Sequence, residues 1–255
     1  MDGTAVIPVP IREQSQIAEA RRKAIQLASI ASFSEQDCGR LAIVVTEAAT
    51  NILRHGGGGE IVLDARSHDH GGEVNILALD SGPGMANVQE SLRDGVSTAD
   101  STGTGLGAIQ RQSDHFDIYS KPGLGTAIVC GVHTAGYQQR PPYPGLELGA
   151  VCLPRIGEAV SGDGWAARVT ERGATLLLIC DGLGHGLGAA EAADAARTEF
   201  LRSKERLPEP LLEDVHKALR GTRGAVIGVV RVEPNDRRIR FAGVGNIYRA
   251  ETLFR

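Results

Sequence analysis

A carboxylate and an amide stand four residues apart, Glu47 and Asn51, in the stretch TEAATNILRHG. Side chains at positions i and i+4 share one face of a helix, so both would point to the same spot. The apolar residues around them fit the core-facing stripe of the same helix, namely Leu41, Val44, Val45, Ala48 and Ile52. The pair therefore marks either the wall of an active site or the solvated edge of an ordinary core helix.

Three glycine motifs follow this helix, each at the end of a periodic segment. DSGPG, residues 80–84, ends a buried-looking strand with the carboxylate Asp80, and its glycines let the backbone approach a planar group. GTGLG, residues 103–107, leads into a helix, whose free N–H groups and dipole favour phosphate. GLGT, residues 123–126, is a glycine turn that enters a strand. Each motif alone also fits an ordinary turn, and their conjunction in this order favours a ligand site.

Two further carboxylates, Asp163 in GDGW and Asp181 in CDGLGHG, lie later in the chain. A strand that ends in Asp-Gly offers one hard oxygen from the carboxylate and another from the Gly182 carbonyl. Two such carboxylates from adjacent strands can hold paired Mn²⁺ or Mg²⁺ ions that activate water for phosphate hydrolysis. Taken singly, either aspartate also fits a simple turn.

The hydrophobic pattern predicts the elements that must position these residues. It indicates helices over residues 14–33 and 34–55, two strands in EIVLDAR and EVNILALD, a helix in GLGAIQRQSDHF and a closing hairpin. This order predicts an α/β sandwich with one sheet face covered. After a linker at residues 136–146, rich in proline and glycine, the pattern starts afresh with two strands, two helices and a strand hairpin.

Composition and charge narrow the class of protein. The 255 residues are 42% hydrophobic and 23% charged with a net charge of −4, which offers no basic footprint for nucleic acid. No apolar run approaches the roughly 18 residues of a membrane helix, and the N-terminus lacks the features of a signal peptide. The four cysteines lie far apart in apolar segments, as reduced thiols do in a cytoplasmic protein. We therefore expect a cytoplasmic protein that binds neither nucleic acid nor membrane.

Residues 5–135 resemble the Bergerat-type ATP-binding domain of the GHKL superfamily, through the Glu47–Asn51 pair and the motifs DSGPG, GTGLG and GLGT. The resemblance implies that Asn51 ligates a Mg²⁺ ion bridging the ATP phosphates, and that Asp80 accepts a hydrogen bond from the adenine amino group. The other nucleotide-binding residues that it implies are Gly82, Gly84, Gly103, Gly105, Leu106, Gly107, Gly125 and Thr126.

Within that superfamily, the run DGVSTADSTGTGLGAIQRQSDHFDIYSKPGLGT is similar to the anti-sigma-factor serine kinases of bacterial stress signalling. The resemblance implies that Glu47 is the catalytic base for a substrate serine on a STAS-type anti-sigma antagonist or another sigma-factor regulator. A structural or water-holding carboxylate is the alternative for Glu47. For the domain, the alternative is an ATP-dependent binding switch that regulates a partner without phosphorylation. A homodimer is left open.

Residues 147–255 resemble the PPM-type serine phosphatases of the sporulation and stress-response branch, through GDGW, CDGLGHG and AGVGN. The resemblance places Asp163, Asp181 and the Gly182 carbonyl at the bridging-metal positions, for Mn²⁺ or Mg²⁺. The family normally continues to a late aspartate that completes the metal site, and none follows Asn246. We therefore expect this domain to be a fragment or degenerate, with weak or absent phosphatase activity.

Together the resemblances predict a two-domain α/β (α+β) protein of bacterial signalling. Residues 5–135 form an ATP-dependent serine kinase with a Bergerat-type sandwich, residues 136–146 a linker, and residues 147–255 a partial PPM-type α/β sandwich. A second alternative is a protein that is mainly a Mn²⁺- or Mg²⁺-dependent serine phosphatase, regulated by its N-terminal domain.

Overall fold

The computed structural model describes residues 6–68, 71–92, 105–137, 143, 145–146, 148–155, 157–158 and 160–247. The chain divides into two compact units, Met1–Gln138 and Gln139–Arg255. Each unit combines an antiparallel sheet with helices, so the expected mixed α/β class is confirmed. In the described part of the chain, no helix is long and apolar enough to cross a membrane. Gly103, one of the predicted phosphate-binding residues, lies outside the described residues.

In its described residues, the first unit contains a five-stranded sheet and four helices. Its elements are β1 (Val6–Ile11), α1 (Gln14–Ile30), α2 (Glu35–His55), β2 (Gly59–His68), β3 (Gly71–Asp80), α3 (Val88–Ser91), α4 (Gly105–Gln112), β4 (His115–Lys121) and β5 (Gly125–His133). The strands run in the order β1-β2-β3-β5-β4, each antiparallel to its neighbour. Helices α1 and α2 pack on one face of this sheet.

Helix α2 begins where the sequence predicts. The Ser34 hydroxyl accepts from the Asp37 amide at 3.2 Å, and the Asp37 carboxylate accepts from the Ser34 amide at 3.4 Å, which satisfies two backbone donors of the first turn. The predicted apolar stripe is buried, and Leu41, Val44 and Ile52 are among its members. The helix ends at His55 and is capped by Gly56, whose amide donates to the Ile52 carbonyl. Burial of the stripe fixes the rotation of α2, so its other face is free to carry polar groups.

Strands β2, β3 and β5 present alternate side chains to the helices, as a sheet with one covered face must. The buried row Leu63, Ile76 and Cys130 is formed by residues directly paired across the three strands. Strand β1 was not predicted. It lies at the sheet edge and carries Pro8 and Pro10, which an edge strand tolerates because its outer N–H groups need no partner.

The part of the second unit that the structure describes contains a four-stranded sheet in the order β6-β7-β8-β9 and two helices. Its elements are β6 (Asp163–Val169), β7 (Thr175–Gly182), α5 (Leu187–Arg202), α6 (Pro208–Ala218), β8 (Ala225–Glu233) and β9 (Arg238–Val244). The helices pack on one face of the sheet and enclose a core around Phe200, Leu211 and Leu178. The order of two strands, two helices and a hairpin matches the pattern read from the sequence.

Candidate functional site

Glu47 and Asn51 lie on the polar face of α2, both half-buried, directly beside the first residue of α4. A Cβ atom placed on Gly105 would lie 3.0 Å from Glu47 Oε2 and 3.3 Å from Asn51 Oδ1. The Asn51 Nδ2 atom is buried and has no hydrogen-bond partner among the described residues. A buried amide without a partner is costly, so this one is suited to an oxygen-rich ligand at the same spot.

Gly105, Leu106 and Gly107 form the first turn of α4, which is the predicted phosphate-binding turn. The first amide groups of a helix lack partners within the helix and, with its dipole, attract anions. Because Gly105 has no side chain, this turn approaches Asn51 and Glu47 closely. The structure thus brings the helix terminus, the amide and the carboxylate to one place.

The far end of α4 is fixed by a residue that the sequence did not indicate, Arg40 of α2. Its Nε donates to the Gln112 carbonyl at 3.2 Å, and its Nη2 pairs with Asp114 at 2.8 Å. Burial acts to raise the pKa of Asp114, but hydrogen bonds from the His133 amide and Arg40, with the positive charges nearby, outweigh it and lower that pKa. Asp114 therefore stays ionised and keeps Arg40 in place at the C-terminus of α4.

Asp80 ends β3 on the helix-covered face of the sheet, in the same row as the buried Ala78 and Ile76. Its Oδ1 accepts from the Gly82 amide at 2.9 Å. The C-terminus of α2 lies against it, since a Cβ on Gly56 would be 2.4 Å from Asp80 Cβ. Glycine at position 56 therefore allows the end of α2, and with it Asn51, to approach the Asp80 carboxylate.

The loop after Asp80 and the β4–β5 turn interlock through glycines. Gly84 has φ +69° and a Cβ there would lie 2.1 Å from the Lys121 carbonyl. Gly125 has φ +92° and a Cβ there would lie 2.0 Å from the Asp80 carbonyl. The Gly123 amide also donates to the Pro83 carbonyl at 2.8 Å. The two predicted glycine motifs thus form a single layer of close backbone contacts.

Thr126 pairs directly with Asp80 across β5 and β3, and Ser120 of β4 pairs with Thr126. The Ser120 and Thr126 hydroxyl oxygens are 3.0 Å apart. Sequence reasoning indicated Thr126 and missed Ser120. The register of the hairpin around GLGT could have indicated Ser120. In that register, the residue six positions before Thr126 lies opposite Thr126 on the neighbouring strand.

These residues suit a purine nucleotide with its phosphates. A carboxylate accepts only, so Asp80 can select an exocyclic amine. The phosphates would lie at the α4 terminus, and the Asn51 amide offers the oxygen ligand that Mg²⁺ uses alongside phosphate oxygens. The orphaned Asn51 nitrogen and the side-chain-free Gly105 both fit such a group.

The second unit brings Asp163 and Asp181 directly opposite each other on β6 and β7. The neighbouring Gly182 amide donates to the Gly162 carbonyl, so the aspartates occupy the adjacent non-hydrogen-bonded position, where side chains approach most closely. Burial and the charge and hydrogen bonding of Asp181 raise the pKa of Asp163. Gly182 lies beside Asp181, and a Cβ placed on it would lie 2.2 Å from the Ala189 carbonyl oxygen of α5.

The metal-binding potential of Asp163 and Asp181 rests on two carboxylates in the described ranges. Within them, no group of three or more histidine, cysteine, aspartate or glutamate side chains is arranged to hold a metal ion. Two opposed carboxylates at a sheet edge still form a site where a divalent cation would relieve repulsion. That Asp163, Asp181 and Gly182 bind Mn²⁺ or Mg²⁺ stays a prediction.

The first unit is therefore built as a nucleotide-binding domain, with a helix terminus for phosphate and a carboxylate for the base. Comparison with known proteins agrees: residues 11–130 match the family model of the histidine kinase-like ATPase domain. The chain belongs to this family through its first unit.

A curated relative is the serine/threonine-protein kinase RsbT of Bacillus subtilis (strain 168). It is 31% identical over 120 residues, which cover 47% of this chain and 90% of RsbT. This relationship confirms the expectation of an ATP-dependent protein kinase, within a GHKL-type ATPase domain.

Two solved structures are also similar. One comes from work on the bacterial stressosome as a modular system adapted to control secondary messenger signaling, with 35% identity over 38% of this chain and 50% of that chain and a TM-score of 0.36. The other is the PP2C phosphatase domain, with a fragment of the regulatory domain, of SpoIIE from Bacillus subtilis, with 13% identity over 91% of this chain and 70% of that chain and a TM-score of 0.28. TM-scores this low establish no shared arrangement.

Proposed function

We propose that the first unit transfers the γ-phosphoryl group of ATP to a serine on a STAS-type partner protein in bacterial stress signalling. The observation that carries the proposal is that Glu47 and Asn51 lie directly beside the first residue of α4. A Cβ atom placed on Gly105 would lie 3.0 Å from Glu47 Oε2 and 3.3 Å from Asn51 Oδ1. The similarity to a serine/threonine-protein kinase supports the reaction class. The STAS-type partner rests on the resemblance of the motif set to anti-sigma-factor kinases.

The residues divide the work of nucleotide binding. Asp80, held by the Gly82 amide, accepts from the adenine amino group, and Gly84 and Gly125 let the loop after Asp80 and the β4–β5 turn pack closely beside it. The amides at the start of α4 bind phosphate oxygens, and Asn51 supplies an oxygen to Mg²⁺. Bound Mg²⁺ neutralises the charge that develops on the phosphates. Phosphoryl transfer depends mainly on such positioning, so a rigid α2 with two functional residues suits it.

Glu47 is the residue that distinguishes transfer from binding. Its Oε2 lies on the phosphate side of the helix pair and can accept the proton of a substrate serine hydroxyl. The serine oxygen then bonds to the γ-phosphorus as the bond from that phosphorus to the β-phosphate oxygen breaks, and ADP leaves. General bases of this kind contribute roughly 10²- to 10⁴-fold.

The test is Glu47→Gln, which keeps the shape of the side chain and removes its basicity. With radiolabelled ATP, Mg²⁺ and a purified STAS-type partner, labelling of the partner should fall at least about 100-fold while ATP affinity stays within about threefold. Glu35→Gln, an exposed glutamate in the first turn of the same helix, is the control. If Glu47→Gln labels the partner as well as the wild type does, Glu47 is not the base. If the wild type binds its partner in an ATP-dependent way but never labels it, the binding switch is favoured.

A second activity is favoured by one observation, the direct opposition of Asp163 and Asp181. We propose that the second unit is a PPM-type phosphatase domain, with Asp163, Asp181 and the Gly182 carbonyl as its ligands for Mn²⁺ or Mg²⁺. Two carboxylates alone hold metal weakly, so activity from these residues should be weak or absent. The test is to incubate the full chain with a phosphoserine peptide and Mn²⁺ and to measure phosphate release. Rapid release that is lost in Asp181→Asn would contradict this expectation and show that the metal site is complete.

A further inference from the structure

The Ser120 side chain carries a hydroxyl and lies beside Thr126 and Asp80, the residues proposed to bind the base. It lies on β4, paired with Thr126 of β5, which is in turn paired with Asp80 of β3. Strands alternate their faces, so all three side chains belong to one row on the helix-covered side of the sheet. The row ends at Ser120 because β4 is the edge strand.

One oxygen atom of Ser120 serves three contacts. It accepts from the Met85 amide at 2.8 Å and lies 3.0 Å from both the Gly125 carbonyl and the Thr126 hydroxyl. A hydroxyl has one proton, so it can donate to one of these two acceptors while the Met85 amide occupies a lone pair. When the Ser120 proton is donated to the Gly125 carbonyl, the remaining lone pair of Ser120 can accept from the Thr126 hydroxyl.

The Met85 contact extends these interactions to the loop that follows Asp80. Met85 comes directly after Gly84, whose backbone lies against the Lys121 carbonyl. The Ser120 bond spans 35 residues of sequence and attaches the end of this loop to the β4–β5 hairpin. Ser120 therefore fixes the end of the loop that follows Asp80.

We propose that Ser120 is a positioning residue for the purine base, a role that rests on the proposed nucleotide-binding function. It orients the Thr126 hydroxyl and holds the loop from Asp80 to Met85 at the distance that the base requires. Among the described residues, Ser120 bonds Met85, Gly125 and Thr126, which lie beside Asp80, so its effect should fall on affinity and base selectivity rather than on phosphoryl transfer.

The experiment measures ATP and GTP affinity of the full chain by competition against a fluorescent ATP analogue. Ser120→Ala should weaken ATP binding about five- to tenfold, the equivalent of one lost hydrogen bond, and shrink the preference for ATP over GTP. The turnover number at saturating ATP should stay within about twofold. Ser113→Ala is the matched control, because Ser113 is also half-buried and bonds a backbone carbonyl, that of Ile109, at 2.7 Å.

The outcomes separate this inference from the proposed function. If the wild type binds ATP in preference to GTP and Ser120→Ala behaves like Ser113→Ala, the role of Ser120 is wrong and the nucleotide site stands. If the wild type binds no ATP, or binds GTP equally well, the proposed function itself fails. Hydrogen exchange offers a check without substitution: the Met85 amide of the nucleotide-free wild type should exchange slowly, and exchange at the rate of an unstructured peptide would overturn the proposal.

Discussion

Among the described residues, one hydrogen bond reaches the Asp80 carboxylate, so its second oxygen is open to a ligand. The Gly82 amide donates to Oδ1, which fixes the plane of the carboxylate against Gly56 and the end of α2. A carboxylate offers acceptors on both oxygens, whereas an amide in the same plane presents a donor on one side. The choice of aspartate over asparagine therefore decides whether the site can accept from an exocyclic amine.

Asp80→Asn is expected to weaken ATP binding about 30- to 100-fold, because a charged hydrogen bond of roughly 2–3 kcal/mol is replaced by two opposed donors. Isothermal titration with ATP and Mg²⁺ measures the loss. Asp117→Asn on β4 is the control, since the Asp117 carboxylate bonds the Ile118 amide next to it. Equal affinity in the two variants would mean that Asp80 does not face the base.

At the residue scale, the sequence predicts the side chains that belong to short motifs. It misses those whose partners are distant in sequence and are brought near only by folding. Glu47, Asn51, Asp80 and Thr126 belong to recognisable spacings, and the structure brings them to one region of the first unit. Arg40 pairs locally with Asp37. Its contacts to Gln112 and Asp114 have no such spacing, because these residues are more than seventy positions away. Only the folded arrangement of α2 against α4 reveals them.

Among the elements, the β4–β5 turn depends most strongly on glycine. Gly125 combines φ +92° with the Asp80 carbonyl 2.0 Å from its Cβ position, whereas Gly123 has φ +78° and open space around it. Positive φ costs an ordinary residue about 1–2 kcal/mol, and a contact of 2.0 Å adds a forced backbone shift. An alanine at position 123 would therefore experience backbone strain alone, whereas an alanine at position 125 would experience both strain and a steric clash.

Gly125→Ala should destabilise the first unit by more than about 2 kcal/mol and abolish measurable ATP binding, because Asp80 must move. Gly123→Ala should cost about 1 kcal/mol and leave ATP affinity within about twofold. Urea unfolding followed by circular dichroism, with ATP titration of each variant, checks both. Equal loss of binding in the two variants would show that strain alone, and not the contact with Asp80, limits the turn.

The elements were predictable wherever burial imposes a period. The stripe of α2, the β2–β3 hairpin and the strand pair around Arg172 and Gly173 all follow from it. Strand β1 was not predictable in this way, because Pro8 and Pro10 are poor strand formers. They are tolerated because β1 lies at the edge of the sheet. Edge position is a property of the whole sheet, so no local pattern reports it.

At the scale of the whole molecule, two cores are enclosed by two separate sheets, one around α1 and α2 and one around α5 and α6. Chains of this kind need not unfold in a single step. A ligand that binds one folded unit stabilises that unit by RT ln(1 + [L]/Kd), about 2.7 kcal/mol at a concentration of 100 Kd. ATP and Mn²⁺ should therefore act on different parts of the melting curve.

Differential scanning calorimetry of the full chain should show one transition raised several degrees by ATP with Mg²⁺ and another raised by Mn²⁺ alone. Asp163→Asn should abolish the Mn²⁺ response, and it should raise the melting temperature without metal, because it removes the repulsion between two opposed carboxylates. Asp236→Asn, an exposed aspartate in the β8–β9 turn, should leave both transitions unchanged. A Mn²⁺ response that survives in Asp163→Asn would place the metal elsewhere. A single transition raised by both ligands would mean that the two cores unfold as one cooperative unit, so that nucleotide bound beside Asn51 stabilises the carboxylate pair of the second sheet as well.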